Sequence, residues 1–319
     1  LAPQGETGEV RVLSSTPQQD GRFDASAMSR RPPRPREMQD VLNFRLYHPL
    51  AWKLARLLAP TPITPNMLSI LGGCFVAAAA IAYAQPGWPL PALIGLLLHM
   101  TWHVVDGADG DLARMTGRSS PVGELVDGIC DYASHIFLYL LLGYVLQLQI
   151  GPLAWPLVVA SGASHIIQSN HYEVQRRQYQ WRVYGVSWLG STGDDERTSL
   201  GGFGVLRRGY LRLASKLASG EVSRIDTALI AAENDPQRLE QLKGIIRANS
   251  ITLLARANLL SSNHRTIMLG VSMLAGSPGY YFAYQLVVLN FVLLASMRSQ
   301  AAAAVRILAQ IDHLPNTLR

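Results

Sequence analysis

The sequence predicts an all-α, polytopic membrane protein with six transmembrane helices preceded by an amphipathic interfacial helix. Three observations carry this. Of 319 residues, 49% are hydrophobic and only 16% charged, with mean hydropathy +0.14; an average soluble chain is about a quarter charged. Charge is absent from three long windows: no Asp, Glu, Lys or Arg lies between Arg56 and Asp106, between Asp131 and Glu173, or between Arg265 and Arg298. Each window carries a Pro/Gly break, at Pro86-Gly87-Trp88-Pro89, Gly151-Pro152 and Gly276-Ser277-Pro278-Gly279. The stretches on either side come to roughly 20 residues, the length of a bilayer crossing.

Taken in order, residues 1–40 are rich in Gln, Ser, Pro and Arg and suit a disordered basic tail. Met28 is a candidate start, and no apolar run follows a basic start as in a signal peptide. Residues 41–60 place Leu42, Leu46, Leu50, Leu54 and Leu57 at helical spacing with Arg45, Lys53 and Arg56 among them, the pattern of an interfacial helix. Residues 61–185 hold four predicted spans, near 65–85, 88–115, 120–148 and 152–180. Residues 186–245 form a polar insert, either covering a site or decorating the surface. Within it, 205–217 is basic and amphipathic, and Gly201-Gly202-Phe203-Gly204 is too loose for a phosphate loop. Residues 246–319 hold two more spans, near 248–274 and 279–305, and a C-terminal tail.

Lys and Arg gather on the side opposite the three breaks, which predicts that both termini and the polar insert are cytoplasmic. The net charge of +6 suits an anionic membrane surface better than nucleic acid, given the apolar excess. Cys74 and Cys130 lie in apolar segments and define no disulfide framework.

The chemistry concentrates at the ends of two apolar helices. The second span closes on Asp106-Gly107-Ala108-Asp109-Gly110-Asp111-Leu112-Ala113-Arg114. The third opens on Gly123-Glu124-Leu125-Val126-Asp127-Gly128-Ile129-Cys130-Asp131. Carboxylates bordering hydrocarbon are costly and are usually paired or functional. Asp106 and Asp109 are i,i+3, and Asp127 and Asp131 are i,i+4, so each pair shares a helix face. Gly110 and Ala113 fall on the first face and Gly123 on the second, leaving room beside the acids. Four such charges together would repel and take up protons. Divalent cations resolve this, and hard oxygen ligands suit Mg2+ or Mn2+. Two such ions would serve a phosphoryl transfer.

The run Asp106-x2-Asp109-Gly110-x2-Ala113-Arg114-x8-Gly123-x3-Asp127-x3-Asp131 resembles the signature of the CDP-alcohol phosphotransferase (CDP-alcohol phosphatidyltransferase) family at every position. The surface helix and Thr64-Pro65-Asn66 before the first span resemble it too. The resemblance is close over residues 40–185 and fades beyond. It implies that Asp106, Asp109, Asp127 and Asp131 hold two divalent metals, Mg2+ or Mn2+, which bridge the pyrophosphate of a CDP-linked donor. It implies that Asp131 is also the general base and that Gly110, Ala113 and Gly123 admit cytidine, with Gly107 and Arg114 as further donor contacts. The implied activity is a transferase of phospholipid biosynthesis. A phosphatidyl or phospho-alcohol group passes from CDP-diacylglycerol or a CDP-amino alcohol to an acceptor hydroxyl, and CMP is released. A homodimer is implied as well.

Other polar residues have two readings each. His103, one turn before Asp106, is a core histidine before it is a metal ligand. His135, one turn past Asp131, is placed to orient that carboxylate. Glu173 either lines an acceptor pocket or belongs to a solvated helix end. Arg256 and Arg265, nine residues apart and nearly on one face, are candidate contacts for a phosphate, and Arg247 suits snorkelling. Two rival functions remain: a divalent-cation transporter, which would carry polar groups on through the bilayer, and a non-catalytic membrane scaffold.

Overall fold

A computed structural model describes residues 35–186 and 220–314. Every regular element among them is helical. In chain order these are α1 (His48–Leu58), α2 (Pro65–Tyr83), α3 (Leu90–Met115), α4 (Pro121–Ile150), α5 (Ala154–Tyr184), α6 (Gly220–Ala231), α7 (Pro236–Ala257), α8 (Ser262–Leu274), α9 (Gly279–Ala283) and α10 (Asn290–Asp312). A π turn, Tyr284–Leu289, joins the last two. The insert's loose Gly motif and its basic stretch 205–217 lie outside the described residues.

The helices that carry the acids start where local sequence dictates. Thr64 Oγ1 accepts a hydrogen bond from the Met67 amide at 3.3 Å, ahead of α2. Ser120 Oγ accepts one from the Gly123 amide at 3.0 Å, ahead of α4. Proline follows each cap at the first helical position, where its missing N–H costs nothing. A cap of this kind contributes about 1 kcal/mol.

Four helical stretches are long and apolar enough to cross a membrane: Pro65–Tyr83, Leu90–Met115, Pro121–Tyr184 and Gly279–Asp312. This is fewer than the six expected, for two reasons. The expected third and fourth spans sit in one stretch that folds back at Gly151, whose φ of +72° is strained for any residue with a Cβ. The Tyr139 hydroxyl meets His165 Nδ1 at 2.9 Å, and the Trp155 indole donates to Gln147, so α4 and α5 run antiparallel. The expected span near 248–274 is interrupted. Helix α7 stops at Ala257, Asn258–Leu260 is a 3-10 turn, and α8 has 13 residues.

The described residues form four apolar cores, the smallest around Leu260, Leu289 and Leu293. The largest joins Val76, Trp102, Leu142, Val158, Leu269 and Phe282. The second fixes α1. Ala51 and Ala55 are fully buried against Val105, Ala108 and Leu112 of α3, and the Tyr47 ring stacks on His103 at 4.8 Å. Leu46, Leu50 and Leu57 stay exposed on the far side. The third gathers the ends of α5, α6, α7 and α10 around Tyr179, Ile225, Ile246 and Ile307. Residues 220–245 therefore pack as part of the body instead of decorating it.

Residues 35–40, expected to close a disordered tail, are tied to that third core. Arg36–Met38 form a 3-10 turn with Met38 buried. The Glu37 carboxylate accepts from the Tyr179 hydroxyl at 2.6 Å, from Tyr184, and from Arg247 Nε at 3.0 Å. Burial raises the Glu37 pKa, but these hydrogen bonds and the Arg247 charge outweigh it and hold the carboxyl below its ordinary value. Arg247, expected to snorkel, is instead this ion-pair partner.

Candidate active site

Helices α2, α3 and α4 pack together and bring the signature acids to one place. Ligand oxygens of Asp106, Asp109 and Asp127 all lie within 4.8 Å of one another. At that separation, and an effective dielectric near 20, each pair of full charges would cost about 3–4 kcal/mol. Such a cost is large beside a net stability of about 5–15 kcal/mol. Three convergent hard oxygen donors fit a Mg2+-class cation, whose charge would cancel that repulsion.

Asp131 stands beside this group, with its own partner. Its Oδ1 accepts from the Trp102 indole N–H at 3.1 Å. The indole lies against Gly72, where a Cβ would come within 3.3 Å of Trp102 Cδ1. Asp109 is buried, and its Oδ2 accepts from the Ser69 hydroxyl at 2.7 Å. Sequence reasoning missed both Trp102 and Ser69. The available signal was a polar group facing inward from an apolar helix, and for Trp102 its place one turn before Asp106.

The small signature residues divide by what faces them. A Cβ at Gly123 would meet Asn66 Oδ1 at 3.5 Å, and one at Gly110 the Arg114 guanidinium at 3.4 Å. At Gly107 a Cβ would lie 3.1 Å from Ala51 of α1, so this glycine lets α1 and α3 approach closely. Ala113 is half-buried beside Arg114 on α3. Arg114 braces an aspartate outside the metal group, since its Nη2 pairs with buried Asp111.

The secondary candidates separate as clearly. His103 Nε2 meets Thr266 Oγ1 at 2.9 Å, which makes it a partnered core histidine. His135 Nδ1 bonds the backbone carbonyl of Asp131 at 2.7 Å. This contact holds the ring against the backbone of Asp131 and not against its carboxylate. Glu173 pairs with Arg176 and Arg177 on its own helix. Arg256 is exposed and Arg265 is only 4% exposed. The 3-10 turn between them breaks the helix and with it the shared face that spacing alone suggested.

A second polar layer lies beyond His135. The Tyr139 hydroxyl meets His165 and accepts from Gln285 Nε2 at 2.7 Å. Gln168 Nε2 donates to Asn290 Oδ1 at 2.8 Å, and Arg265 donates to Ser169 and Gln168. Of eight buried polar side-chain atoms without a partner among the described residues, five belong to this layer and its border: both His99 nitrogens, Ser161 Oγ, Arg265 Nε and Gln285 Oε1.

Apolar helices enclosing a cluster of carboxylates define the class as an integral membrane protein with an acidic site inside its bundle. A family model described as CDP-alcohol phosphatidyltransferase matches residues 62–193, the segment that supplies all four signature aspartates. An uncharacterised CDP-alcohol phosphatidyltransferase class-I family protein of Schizosaccharomyces pombe is 29% identical over 121 residues, 34% of this chain and 31% of that protein. Cholinephosphotransferase 1 of Gallus gallus is 32% identical over 109 residues, 31% of each chain. Cholinephosphotransferase 1 of Saccharomyces cerevisiae is 31% identical over 90 residues, 25% of this chain and 22% of that one. The chain spans about a third or less of the length of these curated relatives.

Proposed function

We propose that this protein is a CDP-alcohol phosphotransferase, which moves a phosphatidyl or phospho-alcohol group from a CDP-linked donor to an acceptor hydroxyl and releases CMP. The observation that carries the reading is the convergence of Asp106, Asp109 and Asp127 within 4.8 Å, with Asp131 held beside them by Trp102. Asp106, Asp109 and Asp127, with Asp131 at the edge, hold Mg2+ or Mn2+, two ions per site. Bound there, the ions supply charge neutralisation for a pyrophosphate. Gly110, Ala113 and Gly123 leave room for the nucleotide beside them.

Asp131 accepts the proton of the acceptor hydroxyl as its oxygen bonds to phosphorus. The bond from that phosphorus to the CMP oxygen breaks, and CMP leaves. The Trp102 indole can only donate, so it occupies Asp131 Oδ1 and leaves Oδ2 to take the proton. Positioning of this kind supplies much of the acceleration in phosphoryl transfer.

The membrane setting completes the reading. Six crossings arise if α4 and α5 count as two and α7 and α8 together make one broken crossing. Leu50 and Leu57 of α1, with Leu46 just before it, lie in the headgroup region, with both termini and the aspartates on the cytoplasmic side. The test is CMP release by protein in lipid nanodiscs with Mg2+ or Mn2+, offering CDP-diacylglycerol, CDP-choline and CDP-ethanolamine separately against pooled acceptors. Release from one donor, lost in Asp131→Asn, is expected. No release from any of the three would sink the proposal.

A further inference from the structure

We propose that residues 36–47 form a strap that sets the seat of the aspartate helix α3 from a remote part of the bundle, with Glu37 as its latch and Tyr47 as its wedge. The strap deepens the transferase reading and rests on it only for what the seated aspartates do. The mechanical coupling rests on contacts along the chain.

The latch end grips helices that carry none of the signature acids. The Glu37 carboxylate accepts from the hydroxyls of Tyr179 and Tyr184 on α5 and from Arg247 on α7. Hydrogen bonds to an ionised acceptor are about twice as strong as neutral ones. Met38 beside it is buried in the core that holds Ile225 and Ile246. The Arg247 side chain is half exposed, so the polar part of the latch can open to solvent without unpacking that core.

The middle of the strap is cross-braced. The Arg36 guanidinium stands 4.1 Å over the Phe44 ring. Asp40 Oδ1 accepts from the Asn43 amide at 2.8 Å, and its Oδ2 accepts from Asn263 Nδ2, near the start of α8, at 2.7 Å. Gln39 Oε1 meets Nδ1 of His48, the first residue of α1, at 2.8 Å. Asn43–Tyr47 then form a π turn, a rare wide turn that is frequent at functional sites. A segment tied to itself this often shifts as one piece.

The wedge end reaches the acids. Tyr47 is 1% exposed, and its ring stacks at 4.8 Å on His103, one turn before Asp106. From Tyr47 the chain runs directly into α1, whose Ala51 would lie 3.1 Å from a Cβ at Gly107. Gly107 stands between Asp106 and Asp109 on α3. Interiors packed this closely transmit a shift instead of absorbing it. Displacement of the strap therefore moves the turn of α3 that carries two of the three converging carboxylates. A Mg2+-class cation demands near-ideal ligand placement, so a small movement there has a large effect on binding.

The test is hydrogen exchange on the full chain in nanodiscs, read without metal or substrate so that it is independent of the reaction. Glu37→Gln should speed exchange about fivefold, the low end of site-to-site coupling, in residues 36–47 and also in Asp106–Met115 of α3. Acceleration confined to the strap and to the segments around Tyr179 and Arg247 overturns the proposal. Tyr47→Leu should give the same acceleration on α3, and adding Glu37→Gln to it should add nothing there, because both act along one line of contacts. Additive effects overturn the proposal as well. If Glu37→Gln does not fold, Tyr184→Phe, which removes one donor from the latch, decides with the same pattern at smaller size. The second readout is the Kd for Mn2+, which should weaken about fivefold in Glu37→Gln; an unchanged Kd overturns the positioning role. Coupled exchange in a protein that releases no CMP would fail the transferase reading alone.

Discussion

Two regions of this bundle mirror each other. On the α2–α3–α4 side, acids converge without a cation: Asp106, Asp109 and Asp127 share one small volume. On the α5–α8 side, Arg265 is buried and, among the described residues, donates to Ser169 and Gln168 and pairs with no acid. His135 and Trp102 stand between them. Neither region satisfies its own charge, although a fold is free to pair buried charges internally.

The sharpest way to break the comparison is Asp131→Asn. Turnover should fall about 10²–10⁴-fold, the usual worth of a positioned base. Near-normal turnover would remove Asp131 from that role. Next is Trp102→Phe, which removes the hydrogen bond to Asp131 and keeps the aromatic packing. We expect kcat to fall about tenfold, in line with a bond to a charged acceptor, with KM for the donor unchanged. A KM effect alone would move Trp102 from positioning the base to binding.

Gly95→Ala tests whether the acid wall depends on how closely α3, which carries Asp106 and Asp109, approaches α2, which carries Ser69. The new Cβ would lie 2.5 Å from the Tyr83 ring, and overpacking of this kind costs about 1–3 kcal/mol. A thermal melt reads it, and an unchanged Tm would show that the ring moves aside freely. Metal-free Asp127→Asn should go the other way and gain about 0.5–2 kcal/mol, as relief of strain at a functional site does; saturating Mn2+ should cancel the gain.

The smallest effect concerns Glu37. Its carboxyl is held below the ordinary value of 4.5, so its contribution is fully present above that pH and is lost as pH falls toward the folded value. Wild-type Tm should drop below pH 4.5 more steeply than that of Glu37→Gln. Parallel curves would show that the turn at residues 36–38 is held by Met38 packing alone.

Much of the acid wall was legible in the sequence because everything it needs is local. Caps at Thr64 and Ser120, charge-free windows and i,i+3 or i,i+4 spacing all act within a few residues. What escaped notice joins residues far apart in the chain. Ser69 reaches Asp109 across 40 positions and Trp102 reaches Asp131 across 29, and periodicity carries no information about such partners. The cation wall was half legible. Arg265 stood out as a charge inside an apolar segment, but the turn at Asn258–Leu260 was hidden, and with it the divergence of Arg256 and Arg265. The same limit hid the partners of His135 and Glu173, a backbone carbonyl and two arginines of the same helix.

The spacing of these partners along the chain also bears on biogenesis. Every residue of the acid wall, from Ser69 to Asp131, leaves the ribosome well before Arg265 does, and chains fold in the order in which they are made. The aspartates are thus inserted as a group while their counterpart is still untranslated. Arg265 then has to reach back 96 residues to Ser169, and long-range closures of this kind are the slow ones. A nascent chain paused before residue 262 would hold the grouped aspartates inside an unfinished bundle, and arrival of α8 would complete the packing around Trp102 and His103.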